Sequence, residues 1–297
     1  MKMKQFKSGF VAIIGRPNVG KSTLLNNLVG QKIAIATDKA QTTRRRIKGI
    51  LTTDEAQIVF VDTPGVHKPL DKLGECLLDE TKLALPDVDL ILFVVDAATP
   101  AGRGDKWILE NLLSTTKIPV LIVVNKSDLI KDPLKKEENI ISYKLLFKEN
   151  IPCVRISAKT GRNMDTLVDN IVRKLPEGAP IYDEDELTDE TMRNIARELI
   201  REKILLYTHD EIPHSVAVVI SKYEEKPNID RISADIIVEH DSQKGILIGK
   251  KGQMLKKIGT EARLEIEKTA DKKVFLELNV KVIKDWRKKS KNIEQMY

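Results

Sequence analysis

The run Gly15-Arg16-Pro17-Asn18-Val19-Gly20-Lys21-Ser22 has the spacing G-x-x-x-x-G-K-S and follows a short apolar stretch, 10–14. A strand feeding a glycine-bearing turn that opens a helix makes a phosphate cradle. Backbone N–H groups and the positive helix N-terminus point at the anion. Lys21 then reaches the outer phosphates of a nucleoside triphosphate, and the Ser22 hydroxyl is placed to ligate Mg²⁺.

Three further clusters bear on which nucleotide it is. Asp62-Thr63-Pro64-Gly65 follows the apolar run 58–61. An aspartate there can hold Mg²⁺ through water, and Gly65 lets its backbone N–H approach a γ-phosphate; an ordinary turn would look the same in isolation. Asn125-Lys126-Ser127-Asp128 follows the apolar run 120–124. Guanine offers N1–H and an exocyclic amine side by side, and the Asp128 carboxylate can accept from both, whereas adenine lacks that pair of donors. Asn125 can reach the N7 edge or brace the neighbouring loop, and the Lys126 stem can lie over the base. Ser157-Ala158-Lys159, after 154–156, can offer backbone N–H groups to guanine O6.

Each cluster needs a strand to carry it. β-rich runs at 9–14, 47–52, 57–61, 89–95, 120–125 and 152–156 alternate with helical stretches at 21–29, 71–84, 106–114, 133–149 and 164–174. That alternation predicts an α/β fold, a mostly parallel sheet with helices on both faces. The pair 47–52 and 57–61 adds an antiparallel edge strand. All four clusters then fall at one edge of the sheet, where such folds bind ligands.

Order and spacing of the four clusters resemble those of Ras-like P-loop GTPases. The resemblance implies GTP and GDP as ligands with Mg²⁺. It implies contacts from 15–22, from Asp62, Thr63, Pro64, Gly65 and Val66, and from Asn125, Lys126, Ser127, Asp128, Ser157, Ala158 and Lys159. Lys21, Thr43 and Gly65 would serve the reaction; Ser22, Thr43 and Asp62 would hold the metal. In such proteins one threonine of the first switch senses the γ-phosphate. We assign it to Thr43, with Thr42 as the alternative, and expect Arg44-Arg45-Arg46 to be solvated or to meet RNA. The chain departs from Ras-type enzymes at Val66, where they carry a water-orienting glutamine, so slow intrinsic hydrolysis is expected. Asn18 resembles an asparagine with which some related GTPases ligate K⁺, and shaping the loop is the alternative.

The chain has 297 residues, 41% hydrophobic and 32% charged, enough for two domains with cores. Two cysteines, Cys76 and Cys153, away from any His cluster, suggest neither a disulfide framework nor a zinc site. His67, His209, His214 and His240 have no ligand spacing. No apolar run approaches the ~20 residues of a membrane span, and the basic start is not read as a signal peptide.

The net charge of +6 is uneven. Residues 181–243 carry 7 Lys/Arg against 16 Asp/Glu, whereas 244–293 carry 15 against 6. The late cationic block suggests a polyanionic partner, a solvated helical face being the alternative.

Pro176-Glu177-Gly178-Ala179-Pro180 and the acids after it read as a linker. Beyond lie a helical stretch at 189–207, strands at 215–223 and 231–239, a glycine-interrupted helical pair at 246–270 and a strand at 274–282. The boundaries drawn are 1–178 and 179–297. Ile246-Leu247-Ile248-Gly249-Lys250-Lys251-Gly252 holds a G-x-x-G between helical segments, where backbone can approach a sugar-phosphate chain. With Lys256 behind it and the order α-β-β-α-α-β, this resembles a type II KH domain, whose G-x-x-G loop clamps about four nucleotides. Ile246 and Ile248 would carry bases, and Lys250 and Lys251 would meet phosphates.

A Ras-like domain followed by one KH domain resembles the Era GTPase family over nearly the whole chain. That implies a cytoplasmic GTPase, expected to be monomeric, which binds 16S rRNA near its 3′ end and acts in rRNA processing and 30S ribosomal subunit biogenesis. Some members associate peripherally with the inner membrane face. An RNA chaperone with negligible hydrolysis is the alternative. The tail from Trp286 could touch RNA or lipid but reads more simply as a solvated helix end.

Overall fold

The computed structural model describes residues 5–37, 39, 42–69, 71–147 and 150–288. It forms two compact units, the first built mainly from residues up to 189 and the second mainly from 190 onward.

The first unit is a six-stranded sheet in the order β2-β3-β1-β4-β5-β6. β1 (Lys7–Ile14), β3 (Ala56–Asp62), β4 (Leu90–Asp96), β5 (Val120–Asn125) and β6 (Cys153–Arg155) run parallel, and β2 (Ile47–Thr52) is the antiparallel edge. Alternate residues feed two cores. Val11, Ile13, Leu92 and Val94 pack with Leu24, Leu28, Leu167 and Ile171 on one face. Ala12, Ile14, Ile91 and Phe93 pack with Ile108, Leu112, Ile140 and Tyr143 on the other. Burial on both faces is why these strands read as continuous apolar runs.

The helices are α1 (Lys21–Val29), α2 (Lys72–Leu83), α3 (Arg103–Ile108), α4 (Pro133–Lys144) and α5 (Met164–Lys174). α3 starts three residues before its expected position, because Asp105 Oδ2 accepts from the Gly102 N–H at 2.9 Å. It runs on as a π-helical turn, Leu109–Leu113. α4 starts where expected: Asp132 caps it, accepting from the Leu134 N–H at 2.9 Å, with Pro133 in the first turn. It ends at Lys144, short of the expected 149; residues 148 and 149 lie outside the described set.

The second unit is a three-stranded sheet, β7 (Ala217–Glu224), β8 (Ile229–Val238) and β9 (Lys273–Val282). β8 pairs antiparallel with β7 and parallel with β9. α6 (Met192–Tyr207) and α9 (Gln253–Ala270) pack together, α6 also against β7 and α9 against β9. Two elements depart from expectation. A short helix α7 (Ile212–Ser215) takes up the start of the first expected strand. The first helix of the glycine-interrupted pair, α8 (Asp241–Ile248), begins five residues early. Gln243 Oε1 accepts from the N–H groups of Glu239 and His240, a cap that outweighs the polar start of the helix.

Trp286 corrects the reading of the tail. It is fully buried and its indole N–H donates to the Ser215 carbonyl at 3.0 Å. The cationic block is also partly internal: Lys272 pairs with Asp230, Lys281 with Asp235 and Arg287 with Glu239. The opposed charge of the two sequence blocks is thus partly cancelled across the sheet.

Candidate functional site

The loops after β1, β3, β5 and β6 open at the carboxyl ends of these parallel strands, as the sequence predicts. α1 begins with no side-chain cap. Gly20 stands at its N-cap with φ 94°, and a Cβ there would lie 2.4 Å from Asn125 Nδ2. The first-turn N–H groups are therefore left for an anion rather than for a neighbouring side chain.

Three oxygens converge at the foot of this helix. Ser22 Oγ lies 2.8 Å from Thr43 Oγ1 and 2.8 Å from Asp62 Oδ2, with Thr43 Oγ1 3.3 Å from the same carboxylate oxygen. All three residues are buried, and Asp62 Oδ1 has no partner among the described residues. Thr42 is not part of this group; its hydroxyl bonds Lys39 and Thr37 within its own loop. Thr43, not Thr42, is the threonine beside Ser22 and Asp62. A buried carboxylate oxygen without a partner, beside two hydroxyls, is a hard-oxygen set that fits Mg²⁺.

Lys21 Nζ is buried and donates to the Gly15 and Arg16 carbonyls, each at 3.3 Å. Burial lowers its pKa and raises that of Asp62, and their opposite charges counter both shifts. Arg16 turns its guanidinium to the buried Asp105, with Nε 2.8 Å from Oδ1. Pro17 packs against Gly65, Val19 is in the core, and Asn18 is exposed with φ 64°. The Thr63 hydroxyl is tied to the Ile13 carbonyl, and Pro64 is buried. Val66 is buried in the second core, its N–H donating to the Gly15 carbonyl at 3.1 Å. Arg44 is buried, which corrects its expected solvation; Arg46 is held by Glu80 and the Leu83 carbonyl.

At the base-reading end, Asn125 is a brace. Its Nδ2 donates to the Val19 carbonyl and its Oδ1 accepts from the Ala158 N–H, both at 2.9 Å. The Ser157 N–H is engaged with the Arg162 carbonyl. A guanine O6 docked here would be met by the Lys159 N–H, or by an Ala158 N–H shared with Asn125. Lys126 has φ 60° and reaches Asp96 Oδ2 at 2.7 Å. Asp96 was missed from sequence; its signal was its place at the end of β4, in register with Asn125. Ser127 is buried and Asp128 is exposed at the lip. A hydrogen bond from Ser157 holds the Asp128 carboxyl below the usual aspartate range.

In the second unit, α8 ends at Gly249 with φ 70°, and Gly252 opens α9 with φ 77°. Lys250 and Lys251 are exposed in the turn between them. Beside it, a groove of about 380 Å³ is lined by Gly252, Leu255, Lys256, Gly259, Thr260, Arg263, Leu276 and Leu278. Gly252 and Lys256 belong to the expected set. Ile246, 55% exposed on α8, and Ile248 do not line the groove; Leu255 and the β9 leucines take the apolar part. Those leucines were invisible until β9 was placed beside α9.

Comparison with known proteins fits this geometry. Residues 10–126 match the family described as 50S ribosome-binding GTPase, and residues 211–287 match the KH domain. The chain is 52% identical to a GTPase Era of Rippkaea orientalis over 291 residues, which cover 98% of this chain and 92% of that relative. It is 53% identical to one from a Nostoc species over 284 residues, covering 95% and 87%. A crystal structure of Era with MgGDPNP and nucleotides 1506–1542 of 16S ribosomal RNA superposes with a TM-score of 0.95 at 42% identity, covering 98% of both chains. An Aquifex aeolicus Era variant bound to GDP and AlF4⁻ superposes at 0.94, also at 42% identity, covering 98% of this chain and 99% of that one.

Proposed function

The chain belongs to the Era family of GTPases, and on that premise we propose that it clamps single-stranded 16S rRNA near its 3′ end under control of GTP, acting in maturation of the 30S subunit. GTP hydrolysis itself follows from membership. The observation that carries the RNA part is the exposed Gly249-Lys250-Lys251-Gly252 turn beside the leucine-lined groove. Backbone at the glycines admits a sugar-phosphate chain, the lysines neutralise it, and the leucines receive unstacked bases.

At the nucleotide, Lys21 and the opening of α1 hold the phosphates, and Asp128 at the lip selects guanine. Ser22, Thr43 and Asp62 would hold Mg²⁺, which when bound neutralises charge on the outer phosphates. Asn18 is the candidate K⁺ ligand: it lies exposed in the loop, with a left-handed backbone. We assign nucleotide work to 1–178, with 179–189 bonded to the same unit, and RNA work to the residues from 190 onward. Any contact with a membrane would be peripheral, since among the described residues no helix is long and apolar enough to span one.

Val66 favours a variant of this reading in which intrinsic hydrolysis is slow and the chain serves mainly as an RNA-binding module. Its side chain is sealed in the core and cannot orient water. Phosphate release by the full chain, measured with and without a 16S 3′ fragment in KCl or NaCl, separates the two. RNA-stimulated release supports the switch. Tight RNA binding with release that stays slow under every condition supports the binding module.

A further inference from the structure

The segment 181–189 reads as a free acidic linker, yet it is bonded along the edge of the first sheet. The Ile50 N–H donates to the Leu187 carbonyl at 2.9 Å. The Thr188 hydroxyl donates to the Lys48 carbonyl at 2.6 Å. Lys48 Nζ donates to Asp189 Oδ2 at 2.7 Å and to the Tyr182 hydroxyl at 3.2 Å. The fully buried Gln57 amide accepts from the N–H groups of Ile181 and Tyr182 at 2.6 and 2.9 Å, and donates to the Tyr182 carbonyl at 2.9 Å. An edge strand presents unpaired backbone groups, and this segment covers those of β2.

What it covers is not an arbitrary edge. β2 and β3 form one ladder from Ile47 opposite Asp62 to Thr52 opposite Gln57. Thr43 lies four residues before that ladder, and Asp62 is its last residue. The hairpin therefore carries two of the three oxygens that meet at Ser22. Its grip points, Lys48, Ile50 and Gln57, span its length.

We propose that 181–189 is a clasp on the β2–β3 hairpin, with Gln57 and Lys48 as positioning residues that hold Thr43 and Asp62 in register with Ser22, and that the clasp sets the preference for GTP over GDP. The proposal rests on reading Thr43 as the γ-phosphate sensor. A loosened hairpin leaves Thr43 in the competent arrangement for a smaller fraction of the time. Affinity for the triphosphate falls by that fraction, whereas a diphosphate held by Lys21 and Asp128 does not sense it.

The test is titration of the full chain with fluorescent GDP and a non-hydrolysable GTP analogue. Gln57→Leu, Lys48→Met and Asp189→Asn should each weaken the analogue by about 3- to 10-fold and leave GDP within about twofold. Lys48→Met combined with Asp189→Asn should do little more than Lys48→Met alone, since Asp189 grips the hairpin through Lys48. Lys48 and Asp189 are partly exposed, so their variants remain informative if Gln57→Leu fails to fold. A parallel loss for both nucleotides, or for neither, overturns the clasp. Thr43→Ala separates the layers. If it leaves the preference unchanged, the sensor reading fails and takes the clasp with it. If it abolishes the preference while the clasp variants keep it, the clasp alone is wrong.

Discussion

Asn125 donates its side-chain amide to the Val19 carbonyl, 106 positions away in sequence, at 2.9 Å. This bond fastens the loop after β5 to the loop after β1, and the amide's other end holds Ala158. Asn125→Ala would strand a buried carbonyl and a buried N–H, each costing about 1–3 kcal/mol. GTP and GDP affinity should fall together and the melting temperature should drop. Calorimetry with both nucleotides and a thermal melt check this; loss of nucleotide affinity at an unchanged melting temperature would return Asn125 to a direct contact with the base.

Asp128 should behave differently, because it is exposed and meets the core through a hydrogen bond from Ser157. Asp128→Asn should cost about 2–3 kcal/mol of GTP affinity, the scale of a charge-assisted hydrogen bond, with only a small drop in the melting temperature. Its pH response follows from the Ser157 hydrogen bond, which lowers the carboxyl below its ordinary value of 3.8. A depressed native pKa contributes stability above the unfolded value and loses it as pH falls through the native one. Guanine affinity should therefore stay flat from about pH 8 to about pH 5, above the ordinary aspartate range. A decline beginning near neutrality would show that another group governs the base contact.

Val66→Ala opens a cavity rather than removing a catalyst. The expected loss is roughly 1–2 kcal/mol of stability, read by urea denaturation, with a hydrolysis rate close to that of the parent. Lys21→Ala should abolish hydrolysis. Equal collapse of activity in both variants would mean that Val66 does chemistry that its burial denies it. If Asn18 ligates K⁺, exchanging KCl for NaCl at constant ionic strength should slow hydrolysis; an indifferent rate removes that role.

The two loop glycines of the second unit give unequal tests. A Cβ at Gly249 would lie 2.7 Å from Met254 Cβ, whereas one at Gly252 meets nothing within 4 Å. Gly252→Asp therefore perturbs the approach of RNA with less damage to packing. Filter binding should show a sharp loss for single-stranded RNA while GTP binding persists. Lys250→Ala with Lys251→Ala should reduce the salt slope by about two phosphate contacts. Unchanged affinity in Gly252→Asp would remove the RNA assignment from this turn.

The first unit was readable because parallel strands buried on both faces leave unbroken apolar runs, and because each functional cluster sits directly behind one. Asp62 and Asp128 could be placed on that basis alone. Contacts between distant segments could not: Asn125 with Val19, Lys126 with Asp96, and Gln57 with 181–182 depend on which strands become neighbours. The same limit made Trp286 look like a solvated tail residue, since its partner Ser215 is 71 positions away. The start of α8 was hidden by a polar opening whose cap, Gln243, acts through backbone groups.

The central claim is tested most directly by phosphate release from GTP and from ATP by the full chain, with and without single-stranded RNA from the 3′ end of 16S rRNA. The account predicts slow release from GTP that RNA accelerates, none from ATP above background, and none in Lys21→Ala. Equal release from GTP and ATP, or a rate that saturating RNA leaves unchanged, would contradict it.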